Sequence, residues 1–417
     1  MKNSYLIICG KLYDGKKDEL QPDMEILVEG KFIKEVGRNI SIPKDVKIID
    51  LSHLTVTPGM IDAHIHSDIL DWRQMSSNLA HSSEWFTLAH LHTAQRTLER
   101  GFTTIRTFNM SVKGFGLVDV KKLINSGYFS GSRMVVAGHI LGTTGSHGDL
   151  TQAIAGNPEL ADAAMSSGIG NGVEFFRETV RREVKHGSDF IKIMLSGGFY
   201  TPNDSPVDQQ LSDEELEVII STAKGLGKSV TAHVYHPPLM QKLVKFGIAG
   251  MEHASMMDEE TRDMIEKAGI YVVPTFLPYD EIIRLDEENL SKKPVEFQTK
   301  LREYSEKLKS GREIIVNSKI KLGYGTDLVT VNQCYESWRE YDSWMKSGID
   351  PFRALRAATS TNAEILELDK YIGSVEPGKF ADIAAWSKDL LSESDALSSC
   401  AFVMKDGTIY PALNNQF

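Results

Sequence analysis

At 417 residues the chain exceeds the size at which a single hydrophobic core stops growing, so a large domain with a smaller companion is expected. Its formal net charge of -11 leaves no basic footprint for nucleic acid or for an anionic membrane surface, which turns attention to small molecules and further copies of the chain as partners. The cysteines Cys9, Cys334 and Cys400 are scattered, odd in number and lack CxxC spacing, so neither a disulfide framework nor a thiolate zinc site is implied. No run of about 18 apolar residues could cross a membrane, and the apolar run 5–9 lacks a cleavage site, so a reducing cytoplasm is the expected setting.

Residues 1 to about 55 alternate short apolar runs (5–8, 24–28, 31–36, 46–51) with Gly, Asp and Lys turns, the pattern of a small antiparallel β domain. From 56 the pattern changes. Short β-branched runs at 60–66, 103–108, 133–139, 190–195, 229–235, 250–254, 271–275 and 321–327 alternate with helical stretches. Among the helices are 84–100, followed by Gly101, and 213–224, which Ser212 is placed to cap. Eight strands separated by helices predict a (β/α)8 barrel over 56–371. The stretch 142–172, rich in Gly, Ser, Asn and Ala, reads as a long loop over the barrel mouth, and the charged run 280–309 as a solvated helical excursion. After 372 the β pattern returns at 381–386 and 401–405, with Asp406-Gly407 as a hairpin turn, so the two ends are expected to fold together.

Chemistry enters at the strand ends. Read in order, the tips carry His64 and His66, then Lys192, His233, His253 and Asp327, and in such a barrel the C-terminal strand ends converge on the active site. Side chains two apart share a strand face, so His64 and His66 can reach one metal ion together. Lys192 stands in the apolar run Phe190-Ile191-Lys192-Ile193-Met194-Leu195, where an amine needs a buried acidic partner or has reacted with carbon dioxide. The carbamate formed in that reaction is an anionic, bidentate group able to bridge two divalent metals. Gly227-Lys228-Ser229 has the tail of a phosphate loop, but Thr222 stands where glycine is needed, and that reading fails.

With these residues in place, the chain resembles the amidohydrolase superfamily in its binuclear, carboxylated-lysine branch over nearly its whole length. The run Ile372-Gly373-Ser374-Val375-Glu376-Pro377-Gly378-Lys379-Phe380-Ala381-Asp382-Ile383 resembles that superfamily's return to a small sandwich domain. The implied fold is an α/β (β/α)8 TIM barrel at 56–371 with a β-sandwich formed by 1–55 and 372–417. The resemblance also implies that His64, His66 and Asp327 bind one divalent ion and His233 and His253 a second, with Lys192 as N6-carboxylysine and a hydroxide bridging the two. Zinc suits nitrogen and carboxylate ligands, and manganese or cobalt would fit. Asp327, beside the hydroxide, would carry its proton to the leaving amine.

Within the superfamily, Asp189-Phe190-Ile191-Lys192-Ile193, Ser196-Gly197-Gly198 and Ala232-His233-Val234-Tyr235 resemble the Xaa-Pro dipeptidase and metallocarboxypeptidase-like group. Thr143-Thr144-Gly145-Ser146-His147-Gly148-Asp149 resembles that group's TGGHGD loop, with Ser146 replacing its second glycine. This resemblance gives a protonated His147 and Tyr235 the task of holding the substrate's C-terminal carboxylate, and implies a homo-oligomer. The expected reaction is hydrolysis of the amide in a dipeptide or N-acyl amino acid. Its rivals are hydrolysis of a cyclic or non-peptide amide, such as an imidazolone or aryl amide, and a metal-free, non-catalytic scaffold of the same fold.

Overall fold

The computed structural model describes residues 4–69, 81–110, 114–284 and 286–412. Strands β1 (Ser4–Leu12), β2 (Gln21–Pro22), β3 (Glu25–Glu29), β4 (Phe32–Gly37) and β5 (Lys47–Pro58) open the chain. The barrel strands follow: β6 (Met60–Ile69), β7 (Phe102–Phe108), β8 (Arg133–Ala137), β9 (Ile140–Leu141), β10 (Ile191–Met194), β11 (Val230–Val234), β12 (Gly250–His253), β13 (Tyr271–Val273) and β14 (Leu328–Thr330). Then come β15 (Ile383–Trp386), β16 (Cys400–Lys405) and β17 (Thr408–Tyr410).

Both ends of the chain enter one eight-stranded sheet, ordered β17-β16-β15-β5-β1-β3-β4 with β2 beside β1. The sheet is mixed rather than wholly antiparallel. After β4 the chain crosses to the other side of β1, so β5 runs parallel to β1 while β3 runs antiparallel to it. The sheet folds over until its turns touch: a Cβ on Gly407 would fall 1.9 Å from the Gly30 carbonyl oxygen. Ile7, Ile26 and Val56 from one end and Ile383, Phe402 and Met404 from the other share the enclosed core.

The staves of the barrel pair in parallel around a ring: β6 with β7, β7 with β8, β9 with β10, and on through β11 and β12 to β13. The third stave is β8 and β9 in succession. Residues 321–327, expected as the eighth strand, form no regular strand but still close the ring. On one side Val272 N–H donates to the Lys321 carbonyl (3.0 Å); on the other, Ala63 N–H donates to that of Tyr324 (2.8 Å) and Asp327 N–H to that of His64 (2.7 Å). Asn362 Nδ2 ties the two staves together as well, donating to the carbonyls of Ile61 and Tyr324, both at 2.8 Å. The chain also passes so close to the first stave that a Cβ on Gly325 would lie 2.7 Å from His64 Cβ.

Two other readings change. The segment 142–172 holds a 3-10 turn, Leu150–Ile154, and a helix, Pro158–Ala164, whose Asn157 cap and leading proline start it locally. The charged run 280–309 feeds the helix Val295–Asn317, which is solvated on one face only. Phe297, Leu301, Tyr304 and Leu308 recur at helical spacing and pack with Phe199, Tyr235 and Tyr279 over the barrel mouth. The helix Asp213–Gly225 begins as expected at Ser212, with a capping box completed by Glu215. Among the described residues no helix is long and apolar enough to cross a membrane.

Candidate active site

One cavity of about 370 Å³ opens at the C-terminal ends of the staves, and His64, His66, His147, Lys192, His233, Tyr235, His253 and Asp327 all line it. The strand tips reach it through strained backbone: His253, Ala254, Thr275 and Asp327 have φ of 68°, 52°, 46° and 51°, a left-handed region rare for residues with a Cβ. These turns aim side chains inward. Asp327 Oδ1 lies 3.2 Å from Nε2 of both His64 and His66. His64, His253 and Asp327 each offer a ligand atom within 4.8 Å of the others, and the His233 ring stands 4.6 Å from that of His253.

Lys192 is the anomaly of this cluster. Its side chain is 1% exposed, its Nζ has no hydrogen-bond partner, and it sits 4.8 Å above the Phe108 ring. Burial pushes the amine down to about 8, against the opposing pull of Glu252. The acidic partner expected for a structural lysine is therefore not bonded to it, and the amine is unusually rich in its neutral, nucleophilic form.

Behind the cluster lies an orienting group that the sequence reading passed over. Glu252 Oε2 is 2.7 Å from His64 Nδ1, while its Oε1 accepts from Arg106 Nη2 and Thr231 Oγ1, each at 2.6 Å. Burial would raise this carboxyl, but Arg106, with Lys192 and His64 adding to it, holds it well below the usual carboxylate range. An ionised Glu252 fixes the proton of His64 on Nδ1 and leaves Nε2, the nitrogen facing Asp327, as a lone pair for a cation. Thr275 Oγ1 orients His253 in the same manner, 2.7 Å from its Nδ1. Arg106 carried a signal: it stands in the buried run Phe102–Phe108 as a lone charge, much as Lys192 does in its own strand.

Protonation states follow from burial. His90 and His147 are pushed down to about 4, and His233 and His253 well below 6.5, with desolvation the largest cause in each. Against burial, which acts in the other direction, the neighbouring imidazoles, His64 first and then His66 and His253, hold Asp327 well below its usual range. His147, His233 and His253 thus stand as neutral imidazoles near a carboxylate, the donor state a divalent ion requires. The unfolded chain takes up protons on these histidines near pH 6.5 while the fold refuses them, so their contribution to stability is full above that pH and is lost toward pH 4. The metal-free protein is expected to lose its denaturant midpoint steadily across that window; a flat profile would mean that the imidazoles charge freely inside the fold.

The two residues expected at the substrate's carboxylate end are also placed here. Tyr235 stacks on His253 and accepts a hydrogen bond from Tyr279 (2.5 Å), which leaves its own hydroxyl proton free to donate into the cavity. His147 stacks on His233, ring centroids 4.5 Å apart, with its Nδ1 2.9 Å from Thr201 Oγ1. The protonated imidazole expected at His147 is corrected by its burial, which keeps the ring neutral in the free protein. Tyr279, like Arg106 and Glu252, escaped the sequence reading.

Comparison with known proteins agrees with this geometry. The chain is 26% identical over 405 residues to ochratoxinase of Aspergillus niger, an alignment covering 93% of this chain and 82% of that protein. A solved Xaa-Pro dipeptidase with methionine bound in its active site is similar over 98% of this chain and 100% of its own, with 27% identity and a TM-score of 0.86. A prolidase complexed with N-methylphosphonate-L-proline matches over 98% and 99% of the two chains, at 26% identity and a TM-score of 0.81. The amidohydrolase family matches residues 55–412, every stave of the barrel and every side chain of the cavity included, and the chain belongs to that family of enzymes acting on amide bonds.

Proposed function

We propose that the enzyme hydrolyses the amide of a dipeptide or an N-acyl amino acid with a free carboxylate. The observation that carries this reading is Tyr235, whose unspent hydroxyl proton faces a cavity that Met194, Phe199 and Leu277 line on the apolar side and Lys293, Thr330 and Gln333 on the polar side, next to the carboxylate and imidazole cluster. Similar structures hold methionine or a proline derivative, ligands with an amino acid's carboxylate. A cavity of about 370 Å³ suits a molecule of that size.

The cluster fits two divalent ions, with zinc the first choice for its ligand types. His64, His66 and Asp327 would hold one, His233 and His253 the other, with Lys192 as a bridging carbamate, which would give its unpartnered Nζ the polar environment it lacks. When bound, such ions polarise the scissile carbonyl and acidify a water molecule. Asp327 accepts the proton of the attacking water and passes it to the leaving nitrogen. Tyr235 donates to the substrate's carboxylate, and the apolar walls exclude bulk water from the reacting amide.

Elemental analysis of the purified protein, with a panel of dipeptides, N-acyl amino acids, their carboxamides and cyclic amides, tests this reading. Close to two divalent ions per chain, loss of activity on chelation and a preference for free carboxylates are expected. One ion or none in an active preparation would sink the binuclear site, and a preference for cyclic amides would overturn the substrate assignment. Tyr235→Phe is expected to lower kcat/KM roughly ten- to a hundred-fold on substrates with a free carboxylate, since it removes a charge-assisted hydrogen bond. Carboxamide analogues, poor from the start, should lose little more.

A further inference from the structure

A short link, 292–294, joins the helix Glu287–Ser291 to the helix Val295–Asn317, and it is pinned from both sides. Lys293 N–H donates to the Leu290 carbonyl (3.0 Å), and the Lys293 carbonyl accepts from Gln298 Nε2 (2.8 Å). Leu290 and Phe297, on either side of the link, are buried in the cluster that holds Phe199, Tyr235 and Tyr279. The backbone of Lys293 is therefore fixed against the wall that also carries Tyr235. Its side chain lines the cavity and passes over Phe297, with Nζ 5.9 Å from the ring centre.

Charge sets this lysine apart. Acidic residues outnumber lysine and arginine in the chain, 57 to 46. The adjacent Lys292 pairs with Glu288 (2.9 Å) and Arg302 with Glu287 (3.0 Å), yet among the described residues no carboxylate pairs with Lys293. Lys192 and Lys293 are the only lysines or arginines among the described residues of the cavity wall, and Lys192 belongs to the ligand cluster. Gln333, which also lines the cavity, commits its amide oxygen to Thr330 Oγ1 (2.9 Å), so what it can offer a ligand is its donating Nε2. Both side chains favour an anion. Resting on the reading of Tyr235 as the contact of the substrate's α-carboxylate, we propose that Lys293 is a specificity residue that selects a second anionic group, the acidic side chain of the amino acid released by hydrolysis. The preferred substrates are then N-acyl aspartates or glutamates and the dipeptides that end in them. Lys293 and Tyr235 stand on one wall, so the group that meets Lys293 belongs to the same half of the substrate as the carboxylate that meets Tyr235.

N-acetylglutamate and N-acetylglutamine differ by this charge at nearly equal size, and the ratio of their kcat/KM is the readout. At low salt a ratio of about five-fold in favour of the acid is expected, the scale of one half-exposed ion pair, and it should shrink as salt is added. Lys293→Met should bring the ratio close to one, Lys293→Arg should keep most of it, and Lys293→Glu should reverse it. A wild-type ratio near one, or a ratio that Lys293→Met leaves intact, overturns the role of Lys293. If N-succinylleucine gains over N-acetylleucine instead, and loses that gain in Lys293→Met, the second anion belongs to the acyl half and the assignment to the side chain is overturned. The α-carboxamide of N-acetylglutamate keeps these outcomes apart from the reading beneath them. Turnover of that amide as fast as the free acid overturns the carboxylate reading of Tyr235, whereas a poor amide together with a ratio of one overturns Lys293 alone.

Discussion

Lys192→Ala is expected to keep its fold and to lose about three orders of magnitude or more in kcat/KM, the scale set by several kcat-determining kilocalories of charge stabilisation at a metal site. Stability should change little because two effects oppose each other. Truncation leaves a cavity in a close-packed barrel, costing about 2–3 kcal/mol. It also removes a buried amine whose Nζ has no hydrogen-bond partner and whose pKa burial has already pushed down to about 8. The variant should bind fewer divalent ions, and added formate or acetate should return part of the rate by standing in for the carbamate. Normal turnover with two ions bound would make Lys192 a structural residue. A variant that unfolds would point instead to packing against Phe108 as its purpose.

How much of this could be read from the chain alone differs from place to place. The first seven staves were legible because each is a short β-branched run between helices with explicit start signals, as at Ser212 and Glu215. The eighth was not, since it is also joined to the first stave by Asn362, far along the chain, and its close approach to β6 depends on Gly325 lacking a side chain. The metal-ligand types were legible because strand tips of a barrel converge whatever the loops do. Their supporting shell was only half visible. Arg106 and Glu252 sit in apolar runs where a charge stands out, yet only the buried pairing across staves gives them a purpose. Tyr279 stands just before an excursion whose inner stripe of Phe297, Leu301, Tyr304 and Leu308, packed against it, is diluted by a charged outer face. The neutral state of His147 is a property of burial, which no local pattern encodes.

Asp327→Asn separates the two tasks assigned to Asp327. Asparagine is the replacement of choice because the backbone there has φ of 51°, a conformation asparagine and aspartate tolerate better than other residues with a Cβ. The amide keeps the shape and one oxygen that could still face the cation site, but it has no charge and cannot accept and return a proton at neutral pH. Loss of general-base help alone is worth about 10²–10⁴ in rate, so kcat is expected to fall by about 10³ with KM little altered. Removal of the anion also leaves His64 and His66, both within 3.2 Å of Asp327 Oδ1, without their charged neighbour, and the affinity for divalent ions should weaken. Measured together, the two quantities are decisive. Full metal occupancy with the rate lost assigns Asp327 to proton transfer first, whereas parallel loss of metal and rate assigns it to cation binding. A variant that turns over normally would remove Asp327 from the reaction and move the search for the proton acceptor to the remaining titratable groups of the cavity, His147 foremost, whose Nε2 is the ring nitrogen not engaged with Thr201.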